Sequence, residues 1–118
     1  MSAGVVGQLA VDLLITNCSL ARVGYLDCPD VVPVVGNDCF SETSAGVLHV
    51  AVEVFQDFKN AFTVVQVRSP VLGGLKGKLA DQLIEWITKE RFAQVFVLCG
   101  ADAGRMTDKQ LSSYDDER

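Results

Sequence analysis

From Val5 to Ile15 the chain is almost continuously apolar, interrupted by Gln8 and Asp12. Residues four apart lie on one face of a helix. The spacing therefore predicts a helix that ends near Asn17-Cys18-Ser19, with both polar groups on one face and Val6, Leu9 and Leu13 left for burial. Arg22 to Leu26 reads as a short strand. Asp27 to Pro33, with two prolines and two acidic residues, reads as a loop, and Gly36-Asn37-Asp38 as a turn.

Val47 to Phe55 alternates as a strand should, with Leu48, Val50, Val52 and Val54 on one face and His49 and Glu53 on the other. Phe62 to Arg68 is a second β-rich run. Gln56 to Ala61 between them has the length and chemistry of a hairpin loop. After Ser69-Pro70 and Gly73-Gly74, a helix is predicted from about Leu75 to Glu90, with Leu75, Leu79, Leu83, Ile84 and Ile87 as its apolar stripe. Gln94 to Cys99 is apolar on both faces, the mark of a buried parallel strand.

The predicted order is helix, strand, hairpin, helix, strand, an α/β pattern. A doubly wound sheet normally opens on a strand that feeds the first helix. The order thus suggests a partial sheet with flanking helices, lacking that strand, and a sheet edge left open for pairing.

Composition changes this picture in three ways. The 118 residues allow one domain, and 49% hydrophobic against 21% charged residues call for a packed core. A net charge of −5, with ten scattered basic residues, argues against nucleic acid and anionic membrane as partners. The four cysteines, Cys18, Cys28, Cys39 and Cys99, lack the paired spacing of a metal site. No basic residue precedes the first apolar stretch, as a signal peptide would require. The reading is four reduced thiols in a cytosolic or nuclear protein, with no metal and no cofactor.

The candidate chemistry is sparse. Gly73-Gly74-Leu75-Lys76-Gly77-Lys78 lacks the first glycine and the final hydroxyl of a phosphate loop, since Leu72 and Leu79 occupy those positions. It reads as a flexible loop before a helix. Gly4-Val5-Val6-Gly7 stands at a helix start, where backbone N–H groups hold anions, but tight helix packing accounts for it equally. His49, the sole histidine, is four residues from Glu53. In a continuous strand that spacing puts their Cα atoms about 13 Å apart, so His49 is expected to be a solvated surface residue. Cys99 is expected to be a small core residue at a strand end, and Trp86 to pack against the sheet. No nucleophile–base–orienter set emerges.

Several stretches, in order, resemble the proteasome assembly chaperone 2 family. Val6-Gly-Gln-Leu-Ala-Val-Asp-Leu-Leu-Ile15 is similar to its opening helix. Val23-Gly-Tyr25 and the loop Val32-Pro-Val-Val-Gly-Asn37 follow, then Val65-Gln-Val-Arg-Ser69, Leu83-Ile-Glu-Trp-Ile87 and Val95-Phe-Val-Leu98. The resemblance implies a non-enzymatic chaperone that pairs with proteasome assembly chaperone 1 and promotes assembly of the proteasome α-subunit ring. It further implies a three-layer, phosphorylase-like α/β fold without catalytic residues. Residues 1–112 would form an incomplete domain of this type, followed by an acidic, disordered tail at 113–118. Gly7, Gln8, Pro33, Gly36 and Asn37 carry the family motifs and are its candidate interface residues. The competing expectations are a small phosphorylase-like, anion-binding enzyme domain and a non-functional truncated copy.

Overall fold

The computed structural model describes residues 5–38, 40, 47–59 and 62–101. Gly4, Cys39 and the tail at 113–118 lie outside the described residues. The elements are α1 (Val6–Asn17), β1 (Ala21–Tyr25), β2 (Val35–Asn37), β3 (Leu48–Val50), β4 (Val52–Asp57), β5 (Phe62–Val67) and α2 (Lys76–Glu90). The mixed α/β class, both helices and the hairpin agree with the sequence pattern.

The main sheet has three strands in the order β1-β4-β5, all antiparallel, with β4 and β5 in register from Val52↔Val67 to Asp57↔Phe62. Alternation along β4 and β5 divides the core into two layers. On one face Phe55, Phe62 and Val64 meet Val11 and Ile15 of α1. On the other, Val52, Val65 and Val67 meet Leu79 and Leu83 of α2. The sheet is thus held between two helices, a three-layer arrangement.

Several sequence expectations require correction. Gly36-Asn37 is no turn: β2 pairs with β3 antiparallel, Gly36 opposite His49. Val47 to Phe55 is no single strand, because it bends at Ala51 between β3 and β4. Gln94 to Cys99 forms no ladder among the described residues, and Phe96 and Val97 are more than 80% exposed; Cys99 is likewise exposed. This segment has the composition of a central strand but no neighbour to pair with.

The last correction is the rotation of α1. Val6, Leu9 and Leu13 are 63%, 54% and 55% exposed, while Gly7, Val11 and Ile15 are buried. Asp12 faces the sheet, because β5 presents Gln66 and Arg68 on that side. Gln66 Nε2 donates to the Gln8 carbonyl at 3.0 Å and to Asp12 Oδ1 at 2.7 Å. Without these acceptors the amide and guanidinium would carry the desolvation cost of unpaired polar groups.

Candidate functional site

The bend at Ala51 decides the chemistry of the interior. It breaks the strand period, so His49 on β3 and Glu53 on β4 turn toward each other, with His49 Nδ1 at 2.6 Å from Glu53 Oε2. His49 is therefore a buried, bonded residue, 6% exposed, and the solvated surface reading is wrong. Its other nitrogen, Nε2, lies 2.9 Å from Asp38 Oδ1.

Glu53 is fully buried and is the hub. Arg22 Nη1 on β1 donates to its Oε1 at 2.8 Å, and also to the Leu48 carbonyl at 2.6 Å. The Val50 N–H reaches the same Oε1 at 3.4 Å. Arg68 lies with its Nε 3.8 Å from Glu53 Oε2. The guanidinium of Arg68 binds Asp12 on α1 through both terminal nitrogens, at 2.8 and 3.3 Å. Phe40 closes the cluster, with its ring edge-on to His49 at 5.2 Å and the Arg68 guanidinium 5.3 Å above it.

Three carboxylates, two guanidiniums and one imidazole thus tie α1, β1, the β2–β3 hairpin, β4 and β5 together. Both ring nitrogens of His49 are engaged, so no nitrogen is free to act as a general base. What this arrangement can do is fix geometry: a largely buried polar network, in which only the Arg68 Nε lacks a hydrogen-bond partner among the described residues, sets the orientation of the elements that carry it. Sequence reasoning missed it because it assumed one strand from Val47 to Phe55. A legible signal was the polar pair Gln66 and Arg68 at alternate positions of β5, matching Asp12 on the helix.

Gly7 sits where the backbone of Leu98 and Cys99 crosses α1. A Cβ at Gly7 would meet the Leu98 carbonyl oxygen at 2.6 Å and Cys99 Cα at 3.1 Å. The glycine thus permits a close main-chain approach. Gln8 contributes its carbonyl to Gln66. Pro33, Gly36 and Asn37 are exposed, along the loop and β2. Gly36 is joined to α1 only indirectly, through His49, Glu53, Arg68 and Asp12. Of the helix start considered as an anion cradle, Gly4 lies outside the described residues, and the space beside the Gly7 Cα is taken by the Leu98 carbonyl. Gly74, at φ 77°, lies in the loop ahead of α2, as the glycine pair suggested. Trp86 meets the Phe92 ring at 5.3 Å, tilted by 53°, and lines a hollow with Val54, Gln56 and Thr63 of the sheet.

Cys28 is buried beside Asp27 and Asp30, and burial first, then these carboxylates, pushes its thiol up from the ordinary value of 9.0. Among the described residues, no group of three or more His, Cys, Asp or Glu is arranged to hold a metal ion. No described helix is long and apolar enough to cross a membrane.

Fold and site together define a layered α/β domain whose polar groups are turned inward and whose first helix shows an apolar face outward. The PAC2 family profile matches residues 1–117. Proteasome assembly chaperone 2 of Nematostella vectensis is 37% identical over 115 residues, which cover 94% of this chain and 47% of that protein. The Danio rerio protein of the same name is 32% identical over 113 residues, covering 94% and 44%. The Mus musculus one is 30% identical over 115 residues, covering 96% and 44%. The chain belongs to the PAC2 family, and it spans about half the length of these relatives.

Proposed function

We propose that the chain serves proteasome assembly as a chaperone subunit, pairing with proteasome assembly chaperone 1 and promoting formation of the proteasome α-subunit ring. The family membership supports this reading, and the observation that carries it is the rotation of α1. The salt-bridged network commits the polar face of that helix to the sheet, so Val6, Leu9 and Leu13 form an apolar stripe on the surface. A protein that holds three large aliphatic side chains outward by means of buried ion pairs is built to meet another protein there. Residues 1–112 are the chaperone-like domain in this proposal, and 113–118 an acidic extension of it. In this proposal Gly7 and Gln8 hold the packed side of α1 in place behind that face, Pro33, Gly36 and Asn37 are further exposed positions that the partner meets, and the setting is the cytoplasm and nucleus.

The test is co-expression of the tagged chain with proteasome assembly chaperone 1, followed by affinity capture and mass spectrometry. Recovery of that partner together with α-subunits is the expected result. Recovery of folded chain alone would overturn the proposal, and recovery of aggregates alone would favour a non-functional copy.

A further inference from the structure

His49 is the sole histidine of the chain, and it stands on β3 of the two-stranded sheet while reaching across to Glu53 in the three-stranded one. Its two ring nitrogens meet two different carboxylates, Glu53 on β4 at 2.6 Å and Asp38, next after β2, at 2.9 Å. A nitrogen and a carboxylate oxygen approach this closely with a hydrogen between them, so the two contacts need two protons. The oxygens already serve other donors. Glu53 Oε1 accepts from Arg22 Nη1 and from the Val50 N–H, and its Oε2 also faces Arg68 Nε. Asp38 Oδ1 accepts from the Phe40 N–H. Both protons therefore belong to the ring. Charge gives the same answer. Asp12, Asp38 and Glu53 bring three negative charges and Arg22 and Arg68 two positive ones, so a positive ring makes the cluster neutral. Buried charge left unbalanced is costly.

We propose that His49 is a proton-operated latch: doubly protonated, it clamps the end of the β2–β3 hairpin that carries Asp38 and Phe40 onto the main sheet, and on losing one proton it lets that end go. A neutral ring has one N–H. It can serve one carboxylate and turns a lone pair toward the other. Glu53 is fully buried and tied to β1 through Arg22, so it stays in place and Nδ1 keeps its proton. Asp38 is the freer partner: its side chain is 11% exposed, and it lies beyond the last ladder pair, Asn37↔Leu48. Phe40 moves with it, since its N–H is bonded to Asp38 and its ring packs edge-on against His49 and Phe55. The same ladder holds Gly36 and Asn37, so the proton governs the setting of two of the family-motif positions. The latch belongs to the fold itself and does not rest on the proposed role in proteasome assembly.

A sole histidine gives one set of ring signals in nitrogen NMR of the purified full chain, so its protonation is read directly. The pH is raised from about 5 to about 9, across the range in which imidazoles titrate. Both ring nitrogens are expected to start protonated, and Nε2 to lose its proton. With that loss, amide-exchange protection within Val35–Asn37 and Leu48–Val50 should fall about tenfold, the worth of one hydrogen bond to a charged group. Protection in β4 and β5 should hold. The range ends below the titration of Cys28, whose thiol is raised from 9.0. D38N removes the charge that the lone pair would face, at a side chain near the surface. In this variant the ring still titrates, and the fall in protection is expected to shrink below about twofold. The proposal is overturned by a ring that carries one proton throughout, or two throughout. It is equally overturned by a titration that leaves the hairpin's protection unchanged, or by a D38N chain that responds as the wild type does.

Discussion

Replacing Glu53 with glutamine is the sharpest probe of the buried network, because it removes a charge and almost no volume. Glu53 has no solvent exposure and faces Arg22, Arg68 and His49. Breaking a buried ion pair from one side costs about 3–5 kcal/mol, since the partner charges stay buried without compensation. The contribution of Arg22 must be discounted, as its side chain is 36% exposed and water screens it. Arg68, at 13%, has less relief from water but keeps its salt bridge to Asp12. The lower end, about 3 kcal/mol, is therefore expected. That is a large fraction of the roughly 5–15 kcal/mol by which domains are stable. For a chain of this size it corresponds to a fall in melting temperature of very roughly 10–20 °C. Urea unfolding at unchanged slope is the assay. A loss below about 0.5 kcal/mol, the range of ordinary surface substitutions, would show that the network does not hold the fold together.

Other outcomes follow from the same structure. The double substitution L9Q/L13Q should change stability by no more than about 0.5 kcal/mol, whereas Ile15→Ala should cost about 2–5 kcal/mol; equal losses in chemical denaturation would refute the rotation of α1. Gly7→Ala gains about 1 kcal/mol of helix propensity but drives a Cβ into the Leu98 carbonyl. It should speed amide hydrogen exchange around residues 98–101, and unchanged exchange there would show that the crossing is not tight. Cys28 should react with a thiol reagent far more slowly than the exposed Cys18 and Cys99. Because the folded thiol is raised above 9.0, the native state holds its proton where the unfolded state releases it. Stability should therefore fall as pH rises past that value and level off once the folded thiol has titrated; a Cys28→Ala variant should lose this dependence.

The elements were largely legible in the sequence, and their facing was not. The 3.6 and 2.0 periods located α1, α2 and β5 within a residue or two, because those patterns follow from local geometry alone. Which side of α1 is buried depends instead on what β5 presents to it. Gln66 and Arg68 reverse the usual rule by demanding the Asp12 carboxylate as partner. His49 was misplaced for a different reason: a bend at Ala51, a residue with no turn signature, brings together groups that a continuous strand would hold apart. The composition of residues 94–99 correctly marks a segment suited to a sheet interior. Burial of such a strand requires neighbours on both sides, and composition does not supply them.

The most direct test of the central claim, that the outward face of α1 is held there to meet a partner, is capture of proteasome assembly chaperone 1 by the wild-type chain and by L9Q/L13Q in parallel. The account predicts that the wild type retains the partner and the variant loses it, with both chains equally folded by circular dichroism. Equal retention by the two, or no retention by a folded wild type, would contradict it.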